Sequence, residues 1–412
     1  METGDIRPLR IVHVISGLEL GGAETMLHQL LAGTDRERFQ SEVISMTTRG
    51  PVGERIEALG IPVHALGMKR GLPTPWHLLP LIRRLRWARP DVIQTWMYHA
   101  DLFGGVAGRL AGHLPVVWGI HHTRLEREST PAGTLWTARV NARLSHRLPA
   151  RIVCCSEATR RVHIQMGYAA GKMLVIPNGT DLGRFRPDPQ ARRSVRAELG
   201  LAPDALLVGM AARYHPLKDH RNFVLAASRV PELLDVHFVL CGEGIVAENS
   251  VLSGWIEQAG LSGRFRLLGR REDMPRLLAS LDISTLSSRS EAFPLVVGEA
   301  MACGVPCVVT DVGESSEIVG TTGLVVPPED PEALAAAWRE LIEGGPELRG
   351  RLGQLARQRI EERYSLPSVV ATYEELYLSL CREAGSRKPE DRSQNTGARK
   401  QEPEERRQKS SC

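Results

Sequence analysis

The sequence predicts an α/β protein built from two parallel-sheet domains, and three observations lead there. Short runs of Val, Ile and Leu alternate with helix-length segments along most of the chain. The runs are continuously apolar, as expected of parallel strands covered by helices on both faces. They come in two sets, separated at residues 177–189, where Asn178-Gly179 forms a turn pair and Pro187 and Pro189 interrupt the next segment. A chain of 412 residues is long enough for two such Rossmann-like domains. Their ligands are expected in a cleft at the strand ends.

Taken in order, the first strand covers residues 11–15 and a helix comes next over 23–31. Further strands are expected at 42–46, 62–66, 91–95 and 115–120. The second set comprises 206–211, 236–241, 265–268, 283–286 and 306–310. The domains are therefore assigned to residues 1–180 and 181–365. Leu366, Val369, Val370, Tyr373, Leu376, Tyr377 and Leu380 recur at helical spacing, which predicts an amphipathic helix over 366–384. Residues 385–412 contain no Leu, Ile, Val, Phe, Tyr or Trp, so a disordered tail is expected there.

Hydrophobic residues make up 42% and charged residues 24%, the balance of a soluble globular protein. No apolar run approaches the roughly 20 residues of a spanning helix, and residues 11–15 are too short for a signal segment. The expected compartment is the cytoplasm. The seven cysteines show no disulfide spacing. Cys154-Cys155 and Cys241 sit in apolar strand-like runs and read as buried thiols. Cys303 and Cys307 lack the second pair that a zinc site needs, so no metal is expected. Residues 1–180 carry 22 Lys+Arg against 14 Asp+Glu, a net +8, whereas residues 181–384 carry 22 against 29, a net −7. Different partners are expected for the two halves.

The most informative segment runs from Glu291 to Thr310. Glu291 is followed by Ala-Phe-Pro-Leu295-Val296, and Glu299 opens a small-residue stretch closed by Cys303-Gly304. It reads as loop, short helix, glycine stop and buried strand. Neither acid suits an apolar core, and a hydroxyl-rich sugar nucleotide offers donors to both. Gly21 and Gly22 come after the first strand and open a helix, where a backbone can approach an anion closely. Gly242-Glu243-Gly244 superficially matches a dinucleotide-binding glycine loop. The acid expected about 20 residues further on is missing, which argues against that reading.

These residues together resemble the retaining glycosyltransferases of family GT4, whose mark is two glutamates seven residues apart. Gly21-Gly22-Ala23-Glu24, Asn178-Gly179-Thr180-Asp181, the basic residues Arg213 and Lys218, Gly242-Glu243-Gly244 and Leu268-Gly269 match further motifs of that family over about residues 10–380. The resemblance implies a GT-B fold, with an acceptor-side first domain, a donor-side second domain and a last helix crossing back to the first. It implies transfer of a sugar from a UDP- or GDP-sugar, with retention and without a metal or other cofactor, to a glycan or lipid-linked acceptor of cell-surface polysaccharide or glycolipid synthesis. Arg213 and Lys218 would neutralise the departing diphosphate, contacts that strengthen in the transition state. Glu299 would hold the ribose, and Glu291 would face the donor sugar. The backbone N–H groups near Leu295 and Val296 would meet the distal phosphate. Gly21 and Gly22 would lie near the phosphates or the acceptor, Gly242 and Gly244 beside the nucleotide, and Gly269 and Arg270 along the base. His121, at a strand end, would orient a hydroxyl or carry partial positive charge; His122 competes for that role. The chain reads His121-His122-Thr123 where His-Asp is commoner in relatives. A nucleotide-sugar epimerase or hydrolase, or a non-catalytic binding protein, is the alternative on the same fold.

Residues 78–89 set Arg83, Arg84, Arg86 and Arg89 beside Leu, Ile and Trp. The segment reads either as a basic helix covering the sheet or as a surface for an anionic membrane. The second reading places the protein peripherally on the inner face of a membrane. No nucleic-acid motif accompanies the charge, so nucleic acid is not an expected partner.

Overall fold

The computed structural model describes residues 7–68, 76, 78–123 and 130–386. The expected tail at 385–412 lies almost wholly outside them. The first sheet has seven strands: β1 Leu9–Ile15, β2 Phe39–Ser45, β3 Val63–Ala65, β4 Val92–Trp96, β5 Val116–Ile120, β6 Arg151–Cys154 and β7 Met173–Val175. Their spatial order is β3-β2-β1-β4-β5-β6-β7. The second sheet has six: β8 Leu206–Ala211, β9 Val236–Cys241, β10 Phe265–Leu267, β11 Ile283–Leu286, β12 Cys307–Thr310 and β13 Leu324–Val326. Its order is β10-β9-β8-β11-β12-β13. The strand pairs within both sheets are parallel, as continuous apolar runs require.

Helices cover both faces of each sheet. Several start at side-chain caps that satisfy otherwise orphaned N–H groups: Ser156, Asp188, Asp219, Asn249 and Asp330. The second domain also buries one ion pair, Arg196 with Asp282, whose side chains are 1% and 7% exposed. Asp282 accepts from the Leu207 N–H as well, so its charge is fully engaged.

The last helix, Leu366–Ser386, comes after the second domain in sequence but packs in the core of the first. Val369, Val370, Tyr373 and Tyr377 lie among Ile11, Ile15, Trp96 and Val117. Both crossings between the domains meet at one point. The Thr180 N–H donates to the Tyr364 carbonyl at 2.8 Å, and the Leu366 N–H donates to the Thr180 carbonyl at 3.0 Å. Among the described residues no helix is long and apolar enough to cross a membrane.

Candidate functional site

The loops at the C-terminal ends of the second sheet's strands are joined into one surface. After β8 the Ala212 N–H donates to the Cys241 carbonyl at 2.8 Å, and the Tyr214 N–H donates to the Glu243 carbonyl at 2.7 Å. Gly242 donates to the Gly269 carbonyl at 2.8 Å, and Gly269 donates to the Ile245 carbonyl at 2.7 Å. Gly242 has φ +151°, and a Cβ there would stand 2.2 Å from the Ala212 carbonyl oxygen. Only glycine permits that approach. Arg213 and the residues 242–244 and 269 are thereby brought together. Arg270 is exposed beside them, while Arg271 is tied to Glu198 and Asp273.

Lys218 closes a short turn, Pro216–Lys218, and its backbone is clamped. Ser287 Oγ donates to the carbonyls of Lys218 and Asp219 at 3.0 and 3.1 Å. Asp219 takes a left-handed conformation with φ +47°, caps the helix His220–Ala227 and accepts from Arg289 Nε at 2.8 Å. The Lys218 ammonium reaches Glu291 Oε1 at 2.5 Å, and Ser288 Oγ donates to the same oxygen at 2.6 Å. Sequence reasoning singled out Lys218 and Glu291 but missed Ser288, Asp219 and Arg289. An Asp directly before a helix was a legible cap signal; the other two carry none.

Glu299 lies on the helix Leu295–Ala302, which begins after Pro294 without a side-chain cap. This is the loop, short helix and strand order expected for residues 291–310. The N–H of Val297 donates to the Pro294 carbonyl, and Leu295 and Val296 stand half-buried at the helix start. Among the described residues Glu299 has no charged partner within ion-pair range, and burial pushes its carboxyl up to about 7, with Arg184 opposing the shift.

The first domain supplies the facing wall. Gly21 is extended, with φ −164°, and precedes the helix Gly22–Gly33. A Cβ on Gly21 would stand 2.3 Å from Glu24 Oε2, the movable end of that side chain; Gly22 has open space around it. The buried Glu24 feels the charge of Arg213 across the cleft, which lowers its carboxyl pKa against the larger upward effect of burial. His121 follows β5, stacks on Trp96 with ring centroids 5.0 Å apart, and among the described residues both its ring nitrogens are buried without a partner. Burial, with a smaller contribution from His122, pushes its imidazole down to about 3 and favours the neutral ring. Cavities of 720 and 550 Å³ lie at the opposite, N-terminal ends of the first sheet's strands, remote from these loops. Among the described residues no group of three or more His, Cys, Asp or Glu is placed to hold a metal ion.

Two facing Rossmann-like domains with cationic and acidic side chains at their strand ends define the class of a GT-B transferase. Solved structures share the architecture. Anabaena Alr3699/HepE in complex with UDP superposes with a TM-score of 0.80 at 25% identity, covering 90% of this chain and 100% of that one. Sucrose-phosphate synthase from Thermosynechococcus elongatus gives 0.76 at 20% identity, a likeness of fold, over 91% of this chain and all of that one. The glycosyltransferase family 4 model matches residues 20–184, and the glycosyl transferases group 1 model matches residues 191–359. EpsF of Bacillus subtilis (strain 168), named as a glycosyltransferase, is 30% identical over 320 residues, 73% of this chain and 79% of that protein. An Escherichia coli UDP-Gal:alpha-D-GlcNAc-diphosphoundecaprenol alpha-1,3-galactosyltransferase is 29% identical over 249 residues, 59% of this chain and 63% of the relative. The chain belongs to glycosyltransferase family 4 and is a glycosyltransferase.

Proposed function

We propose that this enzyme transfers a sugar from a UDP-sugar to a glycan or lipid-linked acceptor, with retention at the anomeric carbon and without a metal. The observation that carries the reading is the meeting of Lys218, Glu291 and Ser288 at one point, beside the glycine-rich loops that hold Arg213. UDP is favoured over GDP because the similar HepE structures bind UDP and UDP-glucose. A lipid-linked acceptor is favoured by the name of the Escherichia coli relative.

In this reading Arg213 and Lys218 neutralise the diphosphate as the glycosidic bond breaks. Charge builds on the leaving oxygens in the transition state, so both contacts strengthen there. The unpaired N–H groups at Leu295 and Val296 add donors for the distal phosphate. Glu299 accepts from the ribose hydroxyls and Glu291 from the sugar. Gly21 and Gly22 let the first domain approach the phosphates, and Gly269 with the Arg270 backbone borders the base. His121 orients a hydroxyl at the reacting carbon. The acceptor hydroxyl attacks the face that the diphosphate leaves, and the departing phosphate takes its proton.

The first domain rests peripherally on an anionic membrane through the helix Leu78–Ala88, on the cytoplasmic side. Its Arg83 and Arg86 are exposed, as are the flanking Arg89, Leu79 at 50% and Trp87 at 71%. Arg84 does not belong to that surface: it pairs with Glu42 at 2.7 Å and stacks on Trp87. Thermal-shift titration with UDP, GDP and their glucose and galactose conjugates tests the donor, because a ligand that binds only the folded state raises the melting temperature. Stabilisation by UDP conjugates is expected; stabilisation by none of them counts against the reading.

A further inference from the structure

Building on that reading, we propose that Glu314 is a positioning residue, a clasp between the domains that fixes the separation of the Glu291 wall from the His121 wall. Glu314 belongs to the second domain, in the loop after β12, and is 8% exposed. Its two carboxylate oxygens accept from the backbone N–H groups of Glu157 and Ala158 at 3.5 and 3.3 Å. These are the first two residues of the first-domain helix Glu157–Gln165. Such N–H groups have no partner within their own helix, and the positive end of the helix favours a carboxylate. Ser156 Oγ caps the third N–H, that of Thr159, at 2.9 Å. The first turn is therefore satisfied partly by its own domain and partly by the other.

Both ends of this contact lead into the site. On the donor side Gly313 has φ +59°, and a Cβ there would stand 2.2 Å from the Glu291 carbonyl oxygen. The backbone beside Glu314 is thus seated on the residue that pairs with Lys218. On the other side Thr159 Oγ1 lies 2.8 Å from Thr123 Oγ1, a buried bond next to His121-His122. The contacts run from Glu291 through Gly313 and Glu314 to the helix turn, then through Thr159 and Thr123 to the histidines. Glu314 touches no reacting group in this arrangement; it acts by holding the two walls in register, and orientation of that kind governs turnover more than donor binding.

The test uses the full chain carrying Glu314→Ala, with the isosteric Glu314→Gln carrying the same comparison if the alanine variant does not fold. Small-angle scattering reports domain opening, calorimetry with UDP reports the donor site, and UDP release from UDP-glucose reports turnover. Glu314→Ala should scatter as a more open particle than wild type. It should bind UDP within about threefold of wild type, because the side chains proposed for the donor all belong to the second domain, while kcat falls at least about tenfold. Glu314→Gln keeps one accepting oxygen and should recover part of the closure and part of the rate. A purely structural role would lower thermal stability without opening the particle or separating kcat from UDP affinity. Unchanged scattering and kcat in Glu314→Ala would overturn the clasp. Failure of the wild type to bind UDP would overturn the donor reading instead, and the scattering comparison would still decide the clasp.

Discussion

Lys218 Nζ lies 2.5 Å from Glu291 Oε1, so the cation proposed for the diphosphate and the carboxylate proposed for the sugar neutralise each other. Their side chains are 25% and 11% exposed, and an unpaired charge at that depth is costly. In the proposed reading a donor opens this pair, replacing it with phosphate on Lys218 and sugar hydroxyls on Glu291. The pair keeps both groups placed without occupying either one's ligand permanently.

Lys218→Ala and Arg213→Ala should therefore lower turnover more than stability. Each removes a charged contact made mainly in the transition state, worth about 2–4 kcal/mol or roughly 30- to 1000-fold in rate. Measuring UDP release and melting temperature on the same samples checks this. Near-normal turnover in a folded double variant would remove both residues from the site.

Glu299 should make UDP binding depend on pH. Its carboxyl is pushed up to about 7, above the ordinary 4.5, so its contribution favours the folded state below about pH 4.5 and is lost as pH rises through 7. Ribose hydroxyls donate to the ionised form, so UDP should pull the pKa down and release a fraction of a proton near neutrality. Affinity should rise between about pH 6 and 8 in wild type and stay weak and flat in Glu299→Gln, which should gain relative thermal stability over that range. Calorimetry in buffers of different ionisation enthalpy counts the proton; no release at pH 7 would contradict ribose contact through Glu299.

Transfer should continue in EDTA. In the proposed reading Arg213 and Lys218 supply the positive charge that a divalent cation would otherwise bring to the diphosphate. Activity abolished by the chelator and restored by magnesium or manganese would show that those two side chains are insufficient.

Membrane attachment should depend on Arg83, Arg86 and Arg89. Each cation near an anionic surface is worth about 1 kcal/mol, screened by salt. Neutralising all three should weaken sedimentation with anionic vesicles by roughly 3 kcal/mol and leave UDP affinity unchanged. Adding a change at Arg84 should cost stability instead, since its guanidinium is committed to Glu42. Equal sedimentation of wild type and triple variant would leave the helix as a solvated cover for the sheet.

Most of the fold was legible because buried parallel strands are written as uninterrupted apolar runs. β8, β9 and β11 begin and end where the sequence placed them. β7 and β13 went unread; both are three-residue strands at sheet edges, as are β3 and β10, which were read. β6 was seen only as an apolar run around Cys154-Cys155. Within the candidate site, Glu291 and Glu299 were picked out by a single motif. The pairing of Glu291 with Lys218 was not, because 73 residues separate the partners and only the fold joins them. The same holds for Glu314, whose partners are backbone N–H groups that any sequence would supply.

Calorimetric titration of the full chain with UDP tests the donor site most directly. One saturable site is predicted in wild type, weakened at least about 30-fold when Arg213 and Lys218 are both replaced by Ala. Absence of UDP binding in wild type, or undiminished binding in the folded double variant, would contradict a nucleoside-diphosphate site in the cleft.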